Sequence, residues 1–218
     1  MRDEVHELYE LSTVIPRPRP GTHLTRPDDD GIVVLEDAMS ERQSVHDYLT
    51  GREEMRPMEL VWGRVCEPPA PRYGHQSVVT RTVVLLDQYV RAEACGSVCV
   101  APLDVILDAR QALIVQPDIV FVSNERAEIV RDQVWGAPDL VVEVLSSATR
   151  RRDRTVKWRW YRQYGIREYW LIDPVAKTVT IAAFGLNPRA RRRVFRGART
   201  VESTVLGGFR APAAAFFD

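Results

Sequence analysis

The chain has 218 residues, of which 45% are hydrophobic and 28% are charged, and its formal net charge at pH 7 is +0. This composition is typical of a globular protein with one full hydrophobic core, and the length is short for two complete domains. No apolar run reaches the roughly 20 residues that cross a bilayer, and no signal peptide is recognisable, so we exclude a membrane protein and expect a cytoplasmic one.

The zero net charge conceals an uneven distribution of charged residues. Residues 1–60 contain 14 acidic and 7 basic side chains, whereas residues 149–199 contain 3 acidic and 15 basic ones. A basic C-terminal half suits a polyanionic partner, although a basic surface that pairs with the acidic N-terminal part is an equally good interpretation. Lys157 and Lys177 are the only lysines among 30 basic residues, which hints that an ammonium group is needed at these positions.

The first half of the chain alternates between turn-rich segments and regular patterns. Residues 1–44 contain a polyproline-like stretch and a run of aspartates, and we interpret them as an extension that is poorly packed and partly disordered. The pattern then predicts a short helix near 45–49, a strand over 59–65, an amphipathic helix over 75–93 and a strand over 98–107 that a proline interrupts.

The second half supplies the remaining strands of one sheet. Strands are predicted over 115–122 and 140–145, and the second is apolar on both faces, as in the middle of a mixed sheet. A helix is predicted to about residue 164, followed by a hairpin of strands near 168–173 and 178–184. This order predicts an α/β (α+β) domain over residues 45–186, with a mixed central sheet flanked by helices. Residues 187–218 are expected to be a basic extension that packs on this domain.

Two carboxylates stand inside these apolar strands. Asp118 follows Pro117 near the start of the strand over 115–122, and Glu143 lies in the middle of the strand over 140–145. A carboxylate in a central strand is costly unless it is paired, hydrogen-bonded or bound to a metal ion. Two of them on neighbouring strands could share one cation, and Mg²⁺ suits a site with few protein carboxylates. Each acid could instead be a turn residue or the partner of a helix arginine.

Lys157 completes a candidate catalytic set with the two acids. It lies on the helix that follows the strand of Glu143, where its ammonium group could stabilise charge on a phosphate or help to deprotonate a water molecule. Asp139 shares a strand face with Glu143, but four residues along a strand span about 13 Å, too far for one small ion. We therefore interpret Asp139 as a strand-start cap or an outer group.

Glu59 and His75 are further candidates. Glu59 could be an additional acid of a metal site, although a glutamate at a strand edge is usually exposed. His75 opens the predicted helix over 75–93 and could assist catalysis or simply make a polar contact there. The aromatic residues between 158 and 170 are expected to belong to the core rather than to a base-stacking surface.

Several of these segments, in this order, resemble the large bacterial Uma family of restriction-endonuclease-like proteins. The resemblance covers residues from about 45 to 185 and also includes Glu59 and His75. The segments that carry it are Gln116-Pro117-Asp118, Ala137 to Ser146, Arg151 to Lys157 and Glu168 to Pro174.

The resemblance implies a PD-(D/E)XK nuclease core that binds a divalent metal ion through Asp118 and Glu143, with Gln116 in a supporting position. In the parent superfamily the catalytic lysine follows the acid by two residues, where this chain has Leu145. The resemblance places the lysine at Lys157 instead.

The resulting hypothesis is an endonuclease that hydrolyses DNA with Mg²⁺, or with Mn²⁺ in its place. An enzyme that cuts both strands of a duplex could act as a homodimer. Two other hypotheses remain open: a non-catalytic module that binds nucleic acid or a protein, and a structural domain whose charged residues only form buried ion pairs.

Overall fold

The computed structural model describes residues 42–51, 58–184 and 192–217. The features predicted for residues 1–41 lie outside this part of the chain. The strands within it are β1 (Glu59–Val61), β2 (Arg64–Cys66), β3 (Gly96–Val100), β4 (Val105–Asp108), β5 (Leu113–Val115), β6 (Ile119–Ser123), β7 (Val134–Trp135), β8 (Leu140–Val144), β9 (Glu168–Asp173), β10 (Thr178–Ala183), β11 (Arg192–Arg196), β12 (Thr200–Glu202) and β13 (Arg210–Pro212).

Three helices accompany these strands, together with two short 3-10 turns over Asn124–Ile129 and Ala213–Phe216. Helix α1 covers Val45–Thr50 and helix α2 covers Tyr73–Glu93. Helix α3 is α-helical over Arg150–Arg152, π-helical over Asp153–Lys157 and α-helical again over Trp158–Tyr164. None of the described helices is long and apolar enough to cross a membrane.

The central sheet has six strands in the order β11-β10-β9-β8-β6-β3. Only β8 and β9 run parallel, and the other pairs are antiparallel. The predicted fold class, a mixed central sheet flanked by helices, is therefore confirmed. Two features were not predicted: a second sheet of five strands in the order β2-β1-β5-β4-β7, and a small sheet of β12 and β13.

Side chains along each central strand point alternately to the two faces of the central sheet, and each face packs against different elements. On β8, Leu140, Val142 and Val144 belong to a core cluster that includes residues of α2 and of the C-terminal segment. Val141 belongs to the other cluster, which contains residues of α3 and of the five-stranded sheet. Because successive side chains of a strand point to opposite faces, Glu143 shares the face of Val141 and looks toward α3.

Prolines and a tight turn divide three segments that the sequence predicts as single strands. The segment over 59–65 is a hairpin, because Trp62 (φ 52°) and Gly63 (φ 83°) form a two-residue turn of the kind that joins adjacent antiparallel strands. The segments over 98–107 and 115–122 each pass from one sheet to the other near Pro102 and Pro117. A proline cannot donate a hydrogen bond to a sheet, so strands end there.

The helices agree with their sequence patterns. Helix α2 buries Val78, Thr82, Leu86 and Val90 along one face, as the apolar spacing predicts. Helix α1 is capped at its N-terminus by Ser44, whose side chain accepts a hydrogen bond from the backbone N–H of Asp47 in a capping box. Helix α3 is followed by Gly165, which has a φ of 91° and caps its C-terminus.

The C-terminal segment is tied to the central sheet by one buried carboxylate. Glu168, at the start of β9, accepts hydrogen bonds from Trp170 Nε1 and Ser203 Oγ, both at 2.7 Å, and from the backbone and hydroxyl of Thr204. Phe209 and Phe216 pack against Trp170. Strand β11 forms one edge of the sheet, so the segment after residue 191 is part of the same packed structure.

Strand β3 packs so closely against β6 that there is no room for a side chain at Gly96. A Cβ atom at this position would meet the carbonyl oxygen of Val122, lie 2.7 Å from Phe121 Cε2 and lie 2.9 Å from Ser123 Cα. We expect Gly96→Ala to lower the free energy of unfolding by about 2–3 kcal/mol, measured by urea denaturation, since the strands must separate to admit the methyl group.

Gly74 in α2 is the matched control, because nothing lies within 4 Å of a Cβ atom placed there. Gly74→Ala should leave the free energy of unfolding unchanged or raise it by up to about 1 kcal/mol through helix propensity. Equal effects of the two substitutions would contradict the packing described for β3.

Candidate functional site

Asp118 and Glu143 face each other across two neighbouring strands of the central sheet. The antiparallel register pairs Ile119 with Val142, and continuing it by one residue places Asp118 opposite Glu143. The carboxylate of Asp118 also accepts a hydrogen bond of 2.7 Å from the backbone N–H of Val144. The Asp118 side chain is 20% exposed, whereas the Glu143 side chain is 5% exposed, so the pair lies at the edge of the core.

Lys157 reaches the same place from helix α3. Its ammonium nitrogen lies 2.7 Å from Glu143 Oε1 and 3.0 Å from Glu59 Oε1. The structure therefore brings together the three residues predicted as catalytic, with Lys157 contacting Glu143 directly. Lys157 is 5% exposed, which makes it a buried cation rather than the solvated helix lysine that is more common.

Glu59 is buried, contrary to the expectation that a glutamate at a strand edge is usually exposed. It is 2% exposed, because β1 pairs with β2 and β5 and its side chain points under α3. Arg152 and Lys157 both form ion pairs with it. Burial of Glu59 depends on the five-stranded sheet, which the local sequence pattern does not reveal.

Arg152, Asp153 and Tyr161 also belong to the site, although sequence reasoning assigned none of them to it. The Tyr161 hydroxyl donates a hydrogen bond of 2.7 Å to Glu143 Oε1. An Asp153 oxygen lies 3.9 Å from the Lys157 nitrogen. Tyr161 follows Lys157 by four residues, and this helical spacing was a signal that could have indicated that these two side chains share a face.

His75 contacts Asp118, and Gln116 lies just before Asp118 in the chain and contacts Glu59. His75 Nε2 lies 3.3 Å from Asp118 Oδ2, at the first turn of α2. The backbone N–H of Gln116 donates to Glu59 Oε1 at 3.2 Å, and its side-chain amide donates to Asp104 Oδ1 at 2.9 Å. Gln116 thus positions Glu59 and anchors the chain just before Asp118.

Asp139 lies away from this cluster, in an ion-paired position of its own. It is fully buried and accepts hydrogen bonds from the backbone N–H of Ser123 at 2.9 Å and from Arg167 Nη1 at 3.0 Å. Arg126 lies 3.6 Å away. These contacts account for its burial without any role in the site of Asp118 and Glu143.

Burial and the neighbouring charges change the proton affinities of the site. Burial lowers the pKa of Lys157, but Glu143, Glu59 and Asp153 together raise it above its ordinary value, so the ammonium group stays charged. Burial raises the pKa of Glu59, yet Arg152 and Lys157 outweigh it and hold that pKa at about 2. Burial raises the pKa of Glu143, and the nearby charges of Asp153 and Asp118 add to this effect against Lys157.

The balance of charge in the cluster fits a divalent cation. Four carboxylates meet there, Asp118, Glu143, Glu59 and Asp153, whereas Lys157 and Arg152 are the permanent cations among the described residues of the cluster. With all four carboxylates ionised and His75 neutral, two negative charges would remain for a divalent cation to balance. Without a cation, burial and the neighbouring acids raise the pKa of Glu143 and of Asp153, so these two acids favour an additional proton.

The chemical type of the donor atoms in the cluster also fits a divalent cation. Carboxylate oxygens are the ligands that Mg²⁺ and Mn²⁺ prefer. Within the described part of the chain, no group of three or more His, Cys, Asp or Glu side chains is arranged so that it could hold a metal ion. An open site with one or two carboxylates and several water molecules is the usual arrangement for Mg²⁺.

Comparison with known proteins identifies the family. The family model of Uma2, described as "Putative restriction endonuclease", matches residues 43–214. The chain belongs to the Uma2 family. No curated protein matches it.

The fold is also found in a solved structure. The crystal structure of "a putative nuclease belonging to DUF820" from Anabaena variabilis ATCC 29413 superposes with a TM-score of 0.67 and 19% sequence identity. The superposition covers 80% of this chain and 97% of that one. At this identity the likeness shows the fold, which is restriction-endonuclease-like. Membership of Uma2 and this fold together support a nuclease.

The Glu59 ion pairs predict how the stability of this Uma2 protein depends on pH. Because the pKa of Glu59 in the folded protein is about 2, below its ordinary value of 4.5, its stabilising contribution is complete above pH 4.5 and is lost as the pH falls toward 2. At pH 7, Glu59→Gln should lower the free energy of unfolding by about 3 kcal/mol, since it leaves buried cations without their partner.

Urea denaturation between pH 7 and pH 3.5 would measure this effect. The difference between wild type and Glu59→Gln should shrink as the pH falls below 4.5. Asp87→Asn is the control, because Asp87 pairs with Arg91 on the exposed face of α2 and should contribute less than about 1 kcal/mol. A Glu59 effect that is constant with pH would mean that its charge is not what stabilises the cluster.

Proposed function

We propose that this Uma2 protein is a metal-dependent endonuclease that hydrolyses phosphodiester bonds in DNA, with Mg²⁺ or Mn²⁺ as its cation. Asp118 and Glu143 would hold the cation, and Lys157 would bind the phosphate. One observation carries the proposal above the others. A charged lysine lies 2.7 Å from Glu143, within a buried cluster in which four carboxylates outnumber two permanent cations.

A bound divalent cation would lower the pKa of a water molecule and neutralise charge on the phosphate. The residues of the chain supply the remaining functions. Lys157 keeps its proton, so it serves as a fixed positive charge that stabilises the phosphate in the transition state, and not as a base. Tyr161 would position Glu143 through its hydrogen bond, and Glu59 would position Lys157 through its ion pair. His75 would orient Asp118.

The arginines between residues 150 and 167, which we expect to contact the DNA backbone, contribute less free charge to DNA binding than their number indicates. Arg150 and Arg154 pair with Asp173, and Arg167 pairs with Asp139. Arg150, Arg154 and Arg167 remain partly exposed, at 36%, 49% and 53% of their side chains, so they could still contact a phosphate. The DNA backbone would therefore meet the exposed guanidinium groups of this segment, although part of their charge is already balanced within the fold.

Plasmid cleavage tests the function directly. The wild-type protein should nick or linearise supercoiled DNA with Mg²⁺ or Mn²⁺ and should be inactive with a chelator. Asp118→Asn and Glu143→Gln should abolish cleavage and weaken Mn²⁺ binding in calorimetry, because each removes one ligand charge. Asp139→Asn is the matched control, since Asp139 is a buried acid outside the cluster.

Two results would contradict the proposal. One is cleavage by folded Asp118→Asn or Glu143→Gln protein at the wild-type rate. The other is DNA binding by the wild type without any metal-dependent cleavage, which would favour a non-catalytic nucleic-acid-binding module on the same fold.

Lys157→Met separates the role of the ammonium group from that of the cation. It should lower the rate of cleavage by about 10²- to 10³-fold, which is typical for loss of one group that stabilises the transition state. Mn²⁺ should bind at least as tightly as to the wild type, since the substitution removes a competing positive charge from Glu143. Weaker Mn²⁺ binding by a folded Lys157→Met variant would show that the lysine supports the metal site instead.

A further inference from the structure

One row of side chains leads from Glu143 to the edge strand β11 of the central sheet. The strand pairing places Leu171 of β9 beside Glu143 and Thr180 of β10 beside Leu171. Val194 of β11 follows beside Thr180. Paired residues of neighbouring strands point to the same face of a sheet. The row is buried at Glu143 and Leu171 and reaches solvent at Val194, which is 47% exposed.

Two arginines of β11 flank the exposed end of this row. Arg192 and Arg196 lie on either side of Val194 at alternate positions of the strand, so their side chains point to the same face as Val194. Both are exposed, and neither forms an ion pair with any residue that the structure describes. Arg193 lies on the opposite face, where it donates a hydrogen bond of 2.9 Å to the backbone carbonyl of Glu202.

An aromatic ring holds Arg192 in place. The central carbon of its guanidinium group lies 3.7 Å from the centroid of the Trp158 ring, and Trp158 in turn packs edge-on against Phe184 at 4.9 Å. Stacking of this kind fixes the plane of the guanidinium group and leaves its N–H donors available at the edge of that plane. Arg192 is therefore an oriented cation, although no described acid pairs with it.

Two further arginines approach the same surface from helix α3. Arg150 and Arg154 both contact Asp173 at the end of β9, and they remain 36% and 49% exposed. Partial burial and the nearby positive charge of Arg154 lower the pKa of Arg192 below its ordinary value. We call the surface formed by Arg150, Arg154, Arg192 and Arg196 the arginine surface. Asp173 is the one acid among the described residues that forms ion pairs with it.

The charge and position of the arginine surface fit a phosphate backbone. Four guanidinium groups share one carboxylate, so three positive charges would remain for a polyanion to balance. Guanidinium groups suit phosphate because they donate paired, planar hydrogen bonds. Strand β11 lies three strands from the β8 strand of Glu143. At about 4.8 Å per strand this is about 14 Å, or roughly four nucleotides along one strand of a duplex.

We propose that the arginine surface binds the phosphate backbone of the DNA strand that is cleaved at Glu143 and Lys157. The inference rests on the proposed nuclease function and extends its DNA-binding surface from α3 to the C-terminal strand β11. The DNA strand would cross the end of α3 that carries Arg150 and Arg154 before it reaches β11. Because contacts to phosphates carry no sequence information, they would add affinity equally for all sequences.

Fluorescence anisotropy of a labelled DNA duplex of about 20 base pairs, in the presence of a chelator so that none is cleaved, tests the surface. The double variant Arg192→Gln/Arg196→Gln should weaken binding by about tenfold or more at roughly 0.1 M salt. It should also reduce the slope of log affinity against log salt by about 2, since two phosphate contacts are lost. Both effects should be the same for duplexes of unrelated sequence.

The matched control is Arg91→Gln/Arg210→Gln. These arginines are 79% and 72% exposed and belong to α2 and β13, which pack on the opposite face of the central sheet. This variant should keep the wild-type affinity within about twofold and the wild-type salt slope. If loss of the Trp158 contact unfolds the first double variant, Arg196→Gln alone should still reduce the salt slope by about 1.

Plasmid cleavage with Mg²⁺ separates binding from chemistry. The Arg192→Gln/Arg196→Gln variant should need a higher DNA concentration for half-maximal cleavage and keep the maximal rate within about twofold, because β11 lies about 14 Å from the strand of Glu143. A loss of maximal rate at unchanged half-saturation would contradict a role confined to DNA binding.

The outcomes distinguish this inference from the proposed function. Wild-type affinity and salt slope in the folded Arg192→Gln/Arg196→Gln variant would overturn the arginine surface and leave the nuclease proposal standing. Arginine-dependent binding by a wild type that cleaves no DNA would support the surface and refute the nuclease. Binding at least about tenfold tighter to RNA of the same sequence would overturn DNA as the ligand of the surface. A wild type that binds no DNA would overturn both.

Discussion

The buried ammonium group of Lys157 connects the separate parts of this structure. It lies 2.7 Å from Glu143 on the central sheet and 3.0 Å from Glu59 on the five-stranded sheet, and its own backbone belongs to helix α3. Three elements that are distant in sequence are therefore joined at one charged atom. A buried ammonium group is costly without carboxylates around it, and the buried carboxylates are costly without the ammonium group. Neither sheet could keep its acid in the core alone, so the ion cluster and the packing of the two sheets depend on each other.

The carboxylates of the cluster are not all balanced by its cations. This arrangement favours the binding of a further cation more than it favours the stability of the fold. Glu59 is fully compensated by Arg152 and Lys157, which is reflected in its low pKa. Burial and like charges instead raise the pKa of Glu143 and of Asp153. The same cluster thus contains one acid held in its charged form by cations and two acids that favour an additional proton or cation. Such a division is expected where a fold gives up stability to retain a binding site.

Sequence reasoning found the parts of the structure that depend on local patterns. Helix α2 follows from apolar spacing, and β8 follows from an apolar run that contains one acid, so Glu143 was recognisable at once. The register of β6 and β8 then places Asp118 opposite it. The remaining members of the cluster depend on long-range packing. The local sequence predicts Glu59 as an exposed strand-edge residue, but β1 is paired on both sides in the structure. It likewise predicts Asp153 as a surface acid, but the π-helical turn rotates Asp153 inward. Three predicted strands were divided because a proline or a tight turn moved the chain between sheets, a change that the apolar pattern alone does not show.

The short segment from Gln116 to Asp118 explains why the acids meet where they do. It is the crossing between β5 of the five-stranded sheet and β6 of the central sheet, and Pro117 in its middle can join neither ladder. Gln116 donates hydrogen bonds to Glu59 and Asp104, on the side of the five-stranded sheet. Asp118 accepts a hydrogen bond from Val144 of the central sheet and contacts His75. One crossing therefore sets the distance between the two sheets and the position of the first acid at the same time. Because both depend on three consecutive residues, a displacement of either sheet would move Asp118 relative to Glu143, and the fold and the candidate site would change together.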